Sequence, residues 1–191
     1  TDMVTLEVWD ERLSAAGARV LMHRRAVAGA LQPHLLEAYD VVGGSGDLRW
    51  AYTSTWGSEE VFDEPGLVAA MQRSLEDRHS KDMDVRTTTV GQHRDEPGLL
   101  LEGRSTRTRS SQGEQRTVAL SLRIGAHRLI EEVRSVTPIL LLDDVFSELD
   151  HDRASRVLEL LPHGQVFVTT AREDEVPTGG RRWSVRDGKV S

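Results

Sequence analysis

The tightest constraint on this chain is the stretch Pro138-Ile139-Leu140-Leu141-Leu142-Asp143-Asp144-Val145-Phe146-Ser147-Glu148-Leu149-Asp150. An unbroken apolar run opened by a proline is too short for most helices and predicts a central parallel strand buried on both faces. In open α/β folds function gathers beyond the carboxyl ends of such strands, and two acids, Asp143 and Asp144, stand there. Buried without partners they would cost several kcal/mol, so they are expected to meet a cation or a polar site. A hydrophobic run closed by Asp and a second acid is the Walker B pattern, in which the first carboxylate holds Mg²⁺ and the second orients the attacking water. Solvated carboxylates at a plain strand end are the structural alternative.

Composition narrows the class. A chain of 191 residues with 38% hydrophobic content can hold one large or two small domains around a buried core. Its formal net charge of -7 argues against coating nucleic acid by bulk charge and leaves only a local basic patch for such contacts. With no cysteine there is no disulfide framework and no thiolate metal site. No apolar segment is long enough to span a membrane or to resemble a signal peptide, so a soluble, cytoplasmic protein is expected, with no membrane partner.

The first third is predicted to be helix. Leu6, Trp9, Leu13, Ala16 and Val20 recur at three- and four-residue steps, and Val27, Leu31 and Leu35 resume the stripe. Pro33 is expected to kink or end this helix near Gln32, and His23 and His34 read as ordinary helix residues. Gly43-Gly44-Ser45-Gly46 reads as a C-cap and turn rather than a phosphate loop, since no Gly-Lys-Ser/Thr follows. Leu48 to Thr55 is a predicted strand, and Asp63-Glu64-Pro65 opens a helix with Leu67, Met71 and Leu75 on one face. The β-branched stretch Val85 to Val90 predicts a strand leading into Gly91-Gln92-His93-Arg94-Asp95-Glu96. The histidine and acids of that cluster could bind a metal or act as acid and base; a mixed-charge turn between strands is the alternative.

From Arg104 the composition changes: Arg104, Arg107 and Arg109 alternate with small polar residues before Ser110-Ser111-Gln112-Gly113-Glu114-Gln115-Arg116. Ala119, Leu122, Ala126, Leu129 and Val133 then give a helical stripe. Ser111 and Gly113 should lie at that helix's N-terminus, where backbone amides and the dipole favour an anion, or where Ser111 is simply an N-cap. After Asp150 a helix carries Val157, Leu158 and Leu161, and Gln165 to Thr170 is a second predicted parallel strand. If the two strands are neighbours, Thr169 and Thr170 come to lie beside Asp143 and Asp144. Arg182 to Val190 closes the chain as a short hairpin.

A small-polar loop opening a helix, then a buried strand ending in Asp-Asp, is the order of signature motif and Walker B in ABC-type ATPases. Together these residues resemble the C-terminal half of the RecF family of bacterial recombination mediators, relatives of the SMC and ABC ATPase heads. Gly91-Gln92-His93-Arg94-Asp95-Glu96 is similar to the family's Gly-Pro-His-Arg-Asp-Asp, and Ser111-Gln112-Gly113-Glu114-Gln115-Arg116 to its signature. Leu140 to Asp150 resembles its Walker B followed by the Ser-Glu-Leu-Asp D-loop. Two departures are Gln92 for the usual proline and Glu114 where the family often has Gln. No Gly-x-x-x-x-Gly-Lys-Ser/Thr occurs, so the chain reads as a fragment lacking the N-terminal part of the ATPase lobe.

The resemblance implies an α/β fold: residues 1–84 as a mainly helical second lobe, and residues 85–191 as the returning part of an ABC/SMC-type ATPase lobe with signature helix and parallel strands. It implies that Asp143 supports Mg²⁺, that Asp144 stands at the place of the catalytic acid, and that Thr170 occupies the switch position. Ser111, Gln112, Gly113 and Glu114 would meet ATP held by a second subunit, and Ser147 and Asp150 of the D-loop would line the dimer seam. His93, Arg94 and Asp95 form the candidate family motif. The implied activity is slow ATP hydrolysis that switches a dimer on DNA at gaps or single-strand/double-strand junctions, with RecR and RecO as partners and RecA loaded indirectly. Two other classes compete: a non-catalytic partner-binding module, and a metal-dependent nuclease built from His93, Asp95, Asp143 and Asp144.

Overall fold

The computed structural model describes residues 3–57 (side chains from Leu6), 63–146, 149, 151–161, 164–171 and 180–190. Helix α1 (Met3–Val41) continues through Pro33, where the sequence predicts a kink or an end near Gln32; the helix does not end there. The proline removes one ladder hydrogen bond, and tertiary burial on the same turns outweighs that loss: Leu31, Leu35 and Ala38 are all buried. The buried face of α1 is Ser14, Ala18, Leu21, Ala28, Leu31, Leu35 and Ala38, whereas Trp9 and Val27 of the expected stripe are exposed. Small residues won those positions because α1 lies close to its neighbours. A Cβ added at Gly17 would stand 2.6 Å from the sulfur of Met71.

After a glycine turn, with Gly43 and Gly46 at positive φ, strand β1 (Leu48–Thr53) leads to helix α2 (Glu64–Val85), with Asp63 at the N-cap position, making no side-chain cap bond, and Pro65 in its first turn. The expected strand over Val85 to Val90 does not form. Arg86 takes a left-handed conformation as C-cap of α2, and the Asp82 side chain accepts from both the amide and the hydroxyl of Thr89, at 3.1 and 2.6 Å. Local capping by a carboxylate overrides the β-propensity of three threonines.

Strand β2 (Glu96–Leu101) pairs antiparallel with β1, from Leu48 opposite Leu101 to Thr53 opposite Glu96, and β3 (Arg104–Ser105) extends that sheet. The four-residue helix α3 (Thr106–Arg109) and the long α4 (Gln112–Arg134) follow. Strand β4 (Leu140–Asp143), helix α5 (His151–Leu160) and strand β5 (Val166–Thr169) form a parallel crossover unit with Leu141 opposite Phe167 and Asp143 opposite Thr169. An exposed hairpin of β6 (Val185–Arg186) and β7 (Lys189–Val190) closes the chain through Asp187 and Gly188, both at positive φ.

Three buried clusters meet along α1. Its N-terminal part packs Ala18 and Leu21 against Leu67, Met71, Leu75 and Trp56. Leu35 and Tyr39 join Leu48, Leu99, Leu101 and Val118. Ala38 and Val42 join Leu120, Ile124, Leu140, Leu142, Phe146, Ala154, Val157 and Leu160. The face of α4 that does this is Val118, Leu120, Ser121, Ile124 and Gly125, displaced from the expected stripe, of which Ala119 and Val133 are exposed. The parallel strands also differ from expectation. Leu140 and Leu142 are buried, but Leu141 is 64% and Phe167 40% exposed, so one face of the sheet is covered by α1, α4 and α5 and the other is open.

Candidate functional site

At the carboxyl end of β4 the sequence turns sharply. Asp144 adopts φ 50, a left-handed conformation that costs a non-glycine residue about 1–2 kcal/mol. Its amide donates to the Thr169 carbonyl at 3.1 Å and to the Thr169 hydroxyl at 3.2 Å. The same hydroxyl donates to Oδ1 of Asp143. Parallel pairing therefore brings together Asp143, Asp144 and Thr169, with Thr170 next along the chain. Both acids are solvent-accessible, so the end of the strand offers hard oxygen donors to an approaching cation. Of the D-loop, Ser147 and Asp150 lie outside the described residues.

The signature candidate caps α4. Ser111 accepts through Oγ from the Glu114 amide at 3.2 Å, while one Glu114 carboxylate oxygen accepts from the Ser111 amide at 2.7 Å and from its hydroxyl at 2.9 Å. This is a complete capping box. Donation by the Ser111 amide, then by its hydroxyl, holds the Glu114 carboxyl below its ordinary range. Gln112 and Gly113 form the first turn and are exposed. A Cβ at Gly113 would meet nothing within 4 Å, so nothing in the chain's own packing demands glycine there. Gln115, not among the expected site residues, reaches back to the carbonyls of Ser110 and Arg107 at 3.1 and 3.4 Å and ties down the preceding loop. Arg107 is further held by Glu96 at 2.6 Å.

The cluster from Gly91 to Glu96 is a turn before β2. The Arg94 amide donates to the Gly91 carbonyl at 2.8 Å. Asp95 spends both carboxylate oxygens on the protein, accepting from the Tyr52 hydroxyl at 3.1 Å and from the Thr55 amide at 3.1 Å. Arg24 on α1 donates to the Tyr52 hydroxyl at 2.9 Å and to the Gln92 carbonyl at 2.8 Å. Burial, then the neighbouring Asp95, raises the Tyr52 phenol above its usual range against the opposing pull of Arg24. Asp95 is thus a bracket between helix, strand and turn. His93 reaches the Thr88 carbonyl and, like Arg94, is exposed. Among the described residues no group of three or more His, Asp and Glu side chains could hold a metal ion, and Asp95 is not gathered with Asp143 and Asp144.

Sequence reasoning passed over His127. It is buried on α4, and its Nε2 donates to the Pro138 carbonyl at 2.8 Å in the tautomer protonated there, fastening α4 to the chain that leads into β4. A single histidine within a helical stripe carries no sequence signal of such a contact.

A long capped helix packed beneath a parallel strand that ends in paired acids is the arrangement of part of an ABC-type ATPase lobe. No family model matches the chain, but curated proteins do. It is 35% identical over 193 aligned residues to the DNA replication and repair protein RecF of Streptomyces avermitilis, an alignment covering 99% of this chain and 51% of that protein. For RecF of Myxococcus xanthus the values are 36%, 88% and 46%, and for RecF of Synechocystis 38%, 87% and 44%. A solved structure of the recombination mediator protein RecF with ATP, from the RecFOR pathway, superposes with a TM-score of 0.85 at 30% identity, covering 100% of this chain and 51% of that one. A second RecF structure, with ATPrS, gives 0.84 at 29%. This chain is RecF-like over its whole length, consistent with a C-terminal half, and spans about half the length of the curated relatives it matches.

Proposed function

We propose that this chain is the C-terminal half of a RecF-like DNA repair and recombination ATPase, in which ATP closes two subunits around DNA at gaps or single-strand/double-strand junctions. The observation that carries this reading is the superposition of the whole chain on RecF in an ATP complex. In this reading residues 1–84 form the helical second lobe and residues 85–191 the returning part of the ATPase lobe. Asp143 offers a carboxylate with one oxygen fixed by Thr169, a donor set suited to Mg²⁺, which is commonly held by one or two carboxylates together with substrate phosphates. Asp144 orients the attacking water, and Thr170 stands at the switch position. Aspartate is one methylene shorter than the glutamate usual in ABC enzymes, which favours slow turnover suited to a switch.

Ser111, Gln112, Gly113 and Glu114 meet the nucleotide held by the opposite subunit, and the open space at Gly113 suits that approach. By the family resemblance Ser147 and Asp150, outside the described residues, would belong to the D-loop at the seam. His93 and Arg94, presented by the turn that Asp95 fastens, complete the family motif. RecR and RecO are the proposed partners and RecA loading the downstream outcome, in the cytoplasm; no helix among the described residues is long and apolar enough to cross a membrane.

The test is Ser111→Arg in the full-length protein. The bulky cation should abolish ATP-driven dimerisation, followed by light scattering, while nucleotide affinity stays within about twofold, since a kcal/mol or more of lost affinity would register as a larger change. Dimerisation equal to the parent's would remove the signature from the interface.

A further inference from the structure

We infer that Thr169 is a positioning residue for the acidic pair, orienting the Asp143 carboxylate toward a divalent cation and fixing the turn that aims Asp144. The inference deepens the Mg²⁺-ATP reading and rests on it. Thr169 lies opposite Asp143 in the parallel ladder, at an exposed strand end where its hydroxyl could face water. Instead that hydroxyl donates to Oδ1 of Asp143 and accepts from the Asp144 amide, using both capacities of the group. The Thr169 carbonyl accepts from the same Asp144 amide, so one residue supplies two acceptors to a backbone held at φ 50.

Burial cannot account for a threonine there, because the residue is exposed. Strand propensity cannot either, because valine would satisfy it equally. What threonine adds is the hydroxyl. Among the described residues Oδ1 of Asp143 is engaged by Thr169 alone, and fixing one carboxylate oxygen sets the direction in which the other is offered. Partners of this kind behind a metal-ligating carboxylate control ligand orientation and metal affinity.

The test uses Thr169→Val, which keeps shape and removes the hydroxyl, and Thr169→Ser, which keeps the hydroxyl. In the full-length protein the Mg²⁺ concentration that half-saturates ATP binding is measured for both, with Asp143→Asn as reference, and amide exchange at Asp144 is followed in the same proteins. Thr169→Val should raise the Mg²⁺ requirement about 10- to 100-fold and speed Asp144 exchange, with Thr169→Ser close to the parent. A Thr169→Val protein with the parent's Mg²⁺ requirement, beside an Asp143→Asn protein that needs more, would overturn the inference and spare the ATPase reading. If Asp143→Asn also leaves the requirement unchanged, the Mg²⁺ reading itself falls and the inference with it.

Discussion

At the scale of single residues, the two departures from the RecF pattern have separable physical consequences. Gln92 sits at the second position of the turn closed by the Arg94 amide and the Gly91 carbonyl, where proline's fixed φ is favoured, and its Oε1 is buried without a hydrogen-bond partner. Gln92→Pro keeps the carbonyl that Arg24 contacts. It should stabilise the chain by about 0.4–1 kcal/mol, read as a higher denaturant midpoint at unchanged m-value. A lower midpoint would mean that the glutamine contributes more than the turn requires. Glu114 raises a different issue, because its carboxylate already occupies the Ser111 hydroxyl and amide. Its lowered pKa means that the capping box is fully formed above the ordinary carboxyl range and is lost as pH falls through the depressed value. Glu114→Gln preserves a capping box, since Gln also serves at that position. Exchange protection of the first turn of α4 should then no longer fall on acidification, and, in the proposed function, ATP-driven dimerisation of the full-length protein should strengthen a few-fold as a negative charge leaves the proposed path of the opposite subunit's nucleotide. Unchanged acid sensitivity of that turn would place its origin elsewhere.

At the scale of elements, the crossing of α1 and α4 rests on Gly125. A Cβ there would stand 2.9 Å from the Leu35 amide nitrogen and 3.1 Å from the His34 carbonyl carbon, backbone atoms that cannot swing aside. Gly125→Ala gains about 1 kcal/mol of helix propensity but faces an overpacking cost of about 1–3 kcal/mol, so net destabilisation is expected. Gly29→Ala, in α1 with nothing within 4 Å of the new methyl, should instead stabilise by about 0.5–1 kcal/mol. Equal shifts for the two variants in thermal unfolding would contradict the close crossing. This crossing also explains what could be read from sequence and what could not. The run from Leu140 into Asp143 and Asp144, the capping signal at Ser111 and the neighbouring Thr169 follow from local pattern and parallel pairing. The true faces of α1 and α4 do not, because small residues such as Ala18, packed against α2, and Gly125, packed against α1, are buried together with Ser14 and Ser121, and hydrophobic periodicity ignores them. The continuation of α1 past Pro33 and the lack of a strand at the threonines of 87–89 have a related cause: tertiary burial in the one case and the Asp82 cap in the other outweigh intrinsic propensity.

At the scale of the whole molecule, the open face of the parallel sheet is the feature most at odds with a self-sufficient domain. Ile139, Leu141 and Phe167 are exposed on it, on strands of a type normally covered on both sides. With Val133 and Val136 also exposed nearby in sequence, this surface favours association, so weak self-association of the chain is not itself a sign of an ATP-bridged dimer. In the proposed function the chain carries half of a nucleotide site: paired acids at one strand end and a candidate signature that would serve an opposite subunit, without the amides and lysine that enclose phosphates. Calorimetric titration of the 191-residue chain with Mg-ATP tests this most directly. Alone the chain should show no binding tighter than about millimolar, a free energy near -4 kcal/mol, and binding should appear once the preceding half of the ATPase lobe is supplied as a separate polypeptide. Micromolar binding by the chain alone would contradict the account.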